Sequence, residues 1–274
     1  MPELPEVETI ICGLRDEICG LKITGVEVRE EKIIGFPRAS KFESQVPGHC
    51  ITGIKRRGKY IMIELDSGQY IVIHLRMTGK LLTKEKGCDV DKHTHVIFAL
   101  SDGRELRFNN IRKFGRVYLV DDSNLHQAGG LNKLGPEPLA EDFTVEDFKA
   151  LLENRRGAIK PLLMKQEFIA GLGNIYTDEA LFAAGIAPDR KANTLDESEQ
   201  EQLYRAIIKT LKAGIKYCGT SVSDYVNSQG EPGSFQEKLQ VYQKAGQECP
   251  HCGTEISKEK IGGRGTHFCP SCQE

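Results

Sequence analysis

The sequence predicts an α+β chain of several domains: a β-sandwich behind an N-terminal helix, a helical domain, and a small cysteine-stapled β-hairpin. Three observations predict it. Short apolar runs separated by turn residues fill positions 22–120, helical periodicity replaces them after a Gly/Pro-rich stretch, and two Cys-x-x-Cys pairs close the chain. The 274 residues, 39% hydrophobic and 28% charged, suffice for two domains with sizeable cores. No apolar run approaches the roughly 20 residues that span a bilayer. The N-terminus lacks the basic-then-apolar order of a signal peptide, so a cytoplasmic protein without a membrane partner is expected.

Taken in order, Pro5 to Leu14 reads as a helix. Pro5 suits its first turn, acidic residues sit where the helix dipole favours them, and Val7, Ile10, Ile11 and Leu14 form one apolar stripe. Strand composition follows at Lys22–Val28, Cys50–Lys55, Tyr60–Leu65, Tyr70–Leu75, Val96–Leu100, Glu105–Phe108 and Arg116–Val120. Asp66-Ser67-Gly68 and Asp102-Gly103 supply hairpin turns, which points to a sandwich or barrel. Lys80–Lys92 and Asn109–Gly115 read as polar, basic loops between strands. After Gly135-Pro136-Glu137-Pro138 come helices opened by Thr144 with Asp147, a short one at Ala158–Lys165, one following Gly171-Leu172-Gly173-Asn174, and a long one that Thr194 and Glu197 would cap. Gly219–Phe235, rich in Gly and Ser, leads to the C-terminal module.

Charge is distributed unevenly. The net charge is −2, yet Cys50–Arg116 holds 14 Lys/Arg against 7 Asp/Glu, a local excess of +7 that leaves −9 for the remainder. Such a basic face is an electrostatic footprint for phosphate. A solvated, lysine-rich strand face is the simpler alternative.

Cys249-Pro-His-Cys252 and Cys269-Pro-Ser-Cys272, 16 residues apart, have the spacing of a tetrahedral four-thiolate zinc site. With all four positions filled by Cys249, Cys252, Cys269 and Cys272, one Zn2+ would be structural and leave no position for substrate. The remaining five cysteines show no framework spacing, which fits a reducing compartment. The stapled hairpin would present Arg264 between glycines, where a phosphate can approach closely. Gly171-Leu172-Gly173-Asn174, with Arg155, Arg156 and Lys160 nearby, offers helix N-terminal amides to an anion. Arg112-Lys113-Phe114-Gly115 with Met77 pairs a cation with apolar side chains that could enter a base stack; ordinary core roles for Met77 and Phe114 compete with this.

The first nine residues carry the sharpest chemistry. Removal of Met1 before the small Pro2 would leave a secondary amine, titrating near ~8, able to attack an electrophilic carbon, with Glu3 beside it as acid or base. On residue types alone an acidic, frayed end is the simpler reading.

In combination, PELPEVET, Arg56-Arg57-Gly58-Lys59, His74-Leu-Arg-Met77, Arg112-Lys-Phe114-Gly, Gly171-Leu-Gly-Asn-Ile-Tyr176 and the Gly263–Gln273 finger resemble the bacterial formamidopyrimidine-DNA glycosylases, from Pro2 to Gln273. The resemblance implies a β-sandwich over 1–131, a helix–two-turns–helix domain over 132–218, a lesion-capping loop over 219–236 and a zinc finger over 237–274. It implies excision of oxidised purines from double-stranded DNA through a Schiff base on Pro2, then strand cleavage by β,δ-elimination. Carried over by position, Glu3 assists sugar-ring opening, Glu6 supports it, Lys59 serves β-elimination and Arg264 δ-elimination. His93, Arg112, Arg155, Lys160, Asn174 and Arg264 would hold DNA. Met77, Arg112 and Phe114 would form the wedge, and Tyr225 and Asn227 belong to the loop over the flipped base. One duplex per chain suits a monomer. Rival readings are an endonuclease VIII-like enzyme for oxidised pyrimidines, a non-catalytic zinc-finger DNA-binding protein, and a zinc hydrolase, the last contradicted by the ligand count.

Overall fold

The computed structural model describes residues 1–221 and 225–274. In chain order the helices and strands are α1 (Leu4–Ile18), β1 (Ile23–Val28), β2 (Ile34–Phe36), α2 (Ala39–Gln45), β3 (Ile51–Arg57), β4 (Tyr60–Leu65), β5 (Tyr70–His74), β6 (Gly79–Glu85), β7 (Thr94–Leu100), β8 (Arg104–Asn110), β9 (Arg116–Val120), α3 (Val145–Leu152), α4 (Ile159–Leu163), α5 (Asn174–Ala184), α6 (Glu197–Lys216), β10 (Ser257–Ile261) and β11 (Arg264–Phe268). They fall into two compact units, Met1–Lys133 with Tyr217–Ser234, and Leu134–Lys216 with Phe235–Glu274.

The first unit is built on two sheets, ordered β1-β7-β8-β6 and β2-β9-β5-β4-β3. Every pairing is antiparallel except β2 with β9. Gly68 (φ 78°) and Gly103 (φ 91°) take the left-handed conformation in the two expected hairpin turns. Val7, Ile10, Ile11, Leu14 and Ile18 of α1 share one buried cluster with Ile54, Ile61, Ile63 and Ile73 of one sheet and Val96, Phe98 and Phe108 of the other. The apolar stripe continues past Leu14, so the helix runs four residues further than its first signals indicate.

The structure departs from expectation at three polar or short segments. Part of the stretch expected to be a loop, Lys80–Lys92, is strand β6, paired along its length with β8. It buries only Gly79 and Leu81, and its lysines face outward, as an edge strand requires. β2 and α2 are also unanticipated, being too short to show a period. The expected Thr194/Glu197 cap of the long helix lies two residues too early. Asp196 accepts from the Glu199 amide at 2.9 Å, and the Glu199 carboxylate accepts from the Asp196 amide at 2.8 Å.

In the second unit α5 packs on α6 and α4, α3 packs on α6, and the β10–β11 hairpin packs on α5. The finger packs in the same compact unit as these helices. Glu179 of α5 accepts the amides of Gln240, Val241 and Tyr242 at 2.8–3.0 Å, and Phe182 joins Val241, Cys249, Ile256 and Cys269 in one apolar cluster. Likewise the expected loop 219–236 does not stand alone. Most of it belongs with the first unit, where the Thr220 amide donates to Glu6; residues 222–224, within that segment, lie outside the described residues.

Candidate functional site

The N-terminal end is held, not frayed. Pro2, Glu3 and Glu6 are buried, while Met1 is half exposed. The Glu3 amide donates to Glu6 Oε2 at 2.7 Å, half of a reciprocal capping box that opens α1. The other carboxylate oxygen of Glu6 accepts the Thr220 amide at 2.8 Å, and the Tyr225 hydroxyl donates to the Glu6 carbonyl at 3.3 Å. Glu6 thus fastens the terminus to the segment that follows the long helix. Burial, with the Glu6 carboxylate next, drives the Tyr225 phenol well above its usual range, so it stays a neutral donor.

Lys59 sits in the β3–β4 turn after Gly58, which has φ 55° and so needs no strain to make the bend. Its side chain is buried. Arg56, at the end of β3, donates to Glu8 of α1 at 2.7 Å and ties this turn to the first helix. His74, which opens the His74-Leu-Arg-Met77 motif at the end of β5, is buried. Burial, then the charges of Arg76 and Lys59, lower its pKa to about 3. Its Nδ1 accepts the Arg76 amide at 3.1 Å, so the neutral ring carries its proton on Nε2 and can donate there.

Met77, Arg112 and Phe114 come together as expected. The Arg112 guanidinium lies 5.0 Å from the Phe114 ring centroid and 3.1 Å from Met77 Sδ. Met77 (43%) and Phe114 (51%) are exposed, so neither is a core residue. Ile111, exposed to 47%, extends the same apolar prominence and was missed because one isoleucine in a basic loop carries no periodic signal. His93 is half-buried; its amide donates to Asp91 and its carbonyl accepts from Asn110. Asn227 folds its own turn, its Oδ1 accepting the amides of Gln229 and Glu231. Tyr225 packs into the sandwich core, so its ring does not lie on an open loop.

In the second unit Lys160 requires a correction. It is fully buried, paired to Asp178 at 2.6 Å, and donates to Thr266 Oγ1 at 2.8 Å. An ammonium with no exposed surface cannot meet a phosphate; it neutralises a buried carboxylate and anchors β11. Asp178 also accepts the His267 amide at 2.9 Å. Asn174, the first residue of α5, donates to the Gly265 carbonyl at 2.9 Å, which puts the helix N-terminus beside the hairpin that carries Arg264. Arg264 is exposed just after the Gly262-Gly263 turn (φ 56° and 79°). Arg155 is exposed over the Phe168 ring at 5.9 Å.

The sulfurs of Cys249, Cys252, Cys269 and Cys272 lie within 4.8 Å of one another, with Cys249–Cys272 at 3.8 Å and Cys252–Cys269 at 3.5 Å. Tetrahedral Zn–S bonds of about 2.3 Å place sulfurs about 3.8 Å apart, so the cluster fits one structural zinc.

Three family models match this chain: the formamidopyrimidine-DNA glycosylase N-terminal domain over residues 1–117, its H2TH domain over 134–226, and the zinc finger found in FPG and IleRS over 246–274. Formamidopyrimidine-DNA glycosylases of Pelotomaculum thermopropionicum and Enterococcus faecalis are 48% and 44% identical, covering 100% of this chain and 99% and 98% of theirs. A Lactococcus lactis FPG mutant in complex with a Fapy-dG containing DNA superposes with a TM-score of 0.93 at 38% identity, covering 100% of both chains. The Lactococcus lactis Fpg in complex with an abasic site containing DNA gives 0.92 at 38% identity, covering 99% of both.

Proposed function

The chain belongs to the formamidopyrimidine-DNA glycosylase family, and from that premise we propose that it excises oxidised purines, 8-oxoguanine and formamidopyrimidines, and then cuts the abasic strand. The observation that carries this reading is the buried, capped N-terminal end, in which Pro2 and Glu3 are fixed ahead of α1. Met1, half exposed before Pro2, is accessible to an aminopeptidase, and its removal frees the amine.

A base inside the duplex shields its C1′, so the damaged nucleotide must first be flipped, at a cost of a few kcal/mol. The prominence of Met77, Arg112 and Phe114 fills the vacated stack, with the Arg112 guanidinium directed at the orphaned cytosine. The Pro2 nitrogen then attacks C1′; the N–C1′ bond forms as the glycosidic bond breaks, and the leaving base takes up a proton. Glu3 protonates the ring oxygen as the sugar opens to the iminium. That iminium acidifies C2′. The Glu3 carboxylate, left ionised by ring opening, takes the C2′ proton as the C3′–O bond breaks and the 3′ phosphate leaves, with Lys59 as its donor; loss of the C4′ proton to water then breaks the C5′–O bond and releases the 5′ phosphate, with Arg264 as its donor. His93, Arg112, Arg155, Asn174 and Arg264 are the DNA-holding residues on this reading, with His74 Nε2–H as a further neutral donor. The zinc, its positions filled by thiolates, shapes the finger and takes no part in bond making. We place the enzyme in the cytoplasm, acting as a monomer on double-stranded DNA.

Borohydride trapping tests the proposal. The mature chain should give a covalent adduct with an 8-oxoguanine:cytosine duplex and far less with a thymine-glycol duplex, while Pro2→Gly should abolish it. The reverse substrate preference supports the endonuclease VIII-like alternative. Absence of any adduct, with lesion DNA still bound, supports a non-catalytic DNA-binding protein.

A further inference from the structure

We infer that Asn110 is the residue that positions the wedge, holding the two loops that carry Met77, Arg112 and Phe114 in one fixed arrangement. The inference rests on the wedge role proposed above. Asn110 ends β8 and is completely buried. Its side-chain oxygen accepts the Phe114 amide at 3.2 Å and lies 3.5 Å from the Thr78 hydroxyl. Its side-chain nitrogen donates to the Leu75 carbonyl at 3.1 Å. Thr78 Oγ1 in turn accepts the Arg112 amide at 3.1 Å. One amide group therefore joins the turn that carries Met77 to the loop that carries Arg112 and Phe114. Its own backbone is pinned as well: the amide donates to the His93 carbonyl at 2.9 Å, and the carbonyl accepts from Lys113 N at 3.1 Å and from His95 Nε2 at 2.9 Å.

Two further features show why such a clamp is needed. Arg76 (φ 56°) and Lys113 (φ 54°), one in each loop, adopt the left-handed conformation that side chains other than glycine disfavour. Exposed Met77, Ile111 and Phe114 would gain by folding back onto the surface and covering their apolar area. A buried, fully engaged amide opposes both tendencies and spares the wedge an ordering cost on entering the duplex. Gly115 completes the fit, since a Cβ there would lie 2.7 Å from Asn110 Nδ2 and 2.5 Å from the Phe108 ring.

The experiment uses the full-length, zinc-loaded chain and two DNAs. One is an 8-oxoguanine:cytosine duplex, which must be entered; the other carries a preformed abasic site opposite a one-nucleotide gap, where no stacked partner has to be displaced. Asn110→Ala should lower kcat/KM for base release at least about tenfold, while borohydride trapping on the gapped DNA changes less than about threefold. Asn110→Asp keeps the acceptor for the Phe114 amide but loses the donor to the Leu75 carbonyl and turns a carboxylate oxygen towards it, so it should lose activity in the same pattern as Asn110→Ala, on the paired duplex and not on the gapped one. Asn110→Ala combined with Phe114→Ala should be no worse than the weaker single variant, because the first change already misplaces the ring. Equal losses on both DNAs, or single effects that multiply, overturn the proposal. If Asn110→Ala does not fold, Thr78→Val carries the test: a loss confined to the paired duplex supports the clamp, and no loss or an equal loss overturns it. Failure of the wild-type chain to form an adduct on gapped abasic DNA would instead sink the Pro2 mechanism, a distinct result.

Discussion

Pro2 and Glu3 stand just ahead of α1, whose apolar stripe is sunk between two sheets; the Glu3 amide donates to the Glu6 carboxylate, which the Thr220 amide holds from its other oxygen. Arg264 stands on a hairpin of two five-residue strands, whose apolar cluster with Phe182 comprises five buried residues, two of them cysteines. The first support costs little beyond the core that the sandwich already has. The second cannot generate enough apolar burial to hold itself, so it relies on a metal and on two bonds to the buried Lys160–Asp178 pair of α4 and α5: Lys160 donates to the Thr266 hydroxyl and the His267 amide donates to Asp178. A residue is positioned by whatever its surroundings can supply, and the two ends of this chain supply different things.

Removing zinc should break this contrast most visibly. Structural zinc contributes roughly 10–16 kcal/mol of apparent binding free energy that is also folding free energy. Chelation, or Cys269→Ser, should therefore abolish amide protection across β10–β11 while leaving β3–β5 protected in hydrogen exchange. Affinity for lesion DNA should fall at least about a hundredfold. Loss of protection in both sheets of the sandwich would show that the two supports are not independent.

Breaking the ion pair comes next. Lys160→Met leaves a carboxylate, and Asp178→Asn an ammonium, buried without its partner, and each should cost roughly 3–5 kcal/mol. The double variant Lys160→Met/Asp178→Leu should cost clearly less than either single change, because no charge is then stranded. Urea unfolding of the zinc-loaded chain measures this; a double variant as unstable as the sum of the singles would mean that the two groups are not energetically coupled and that the pair is no part of the support.

How far the sequence reveals these supports depends on the range of the interactions. Helix α1, the strands Tyr60–Leu65 and Arg116–Val120, and the four thiolates are legible because each is a local pattern. Strand β6 is not, since its burial of Gly79 and Leu81 arises only once β8 lies beside it. Lys160 is the clearest failure. A lysine near a glycine-rich helix start looks like a phosphate ligand, and nothing local announces that Asp178, 18 residues later, and Thr266 will enclose it. Asn110 was hidden for the same reason, as its partners lie at Leu75, Thr78, His93, His95, Lys113 and Phe114.

The smallest effect expected is a pH dependence confined to the sandwich unit. His74 is buried with its pKa lowered to about 3, by burial first and then by the Arg76 and Lys59 charges, against an ordinary value of 6.5. Between these values the unfolded chain binds a proton that the folded chain refuses, so stability rises with pH across this window and is fully present above about 6.5. Lowering the pH from 6.5 to 5 should cost about 2 kcal/mol through this residue, at 1.36 kcal/mol per unit. His74→Gln should flatten that part of the stability curve, although it lowers stability at neutral pH by removing the acceptor of the Arg76 amide. The zinc-supported hairpin should show no matching change in amide protection over this interval when the metal stays bound. An unaltered slope in His74→Gln would mean that the ring is reached by water and titrates near its ordinary value. In that event it would be charged below pH 6, and would meet a DNA phosphate as a cation instead of a neutral donor.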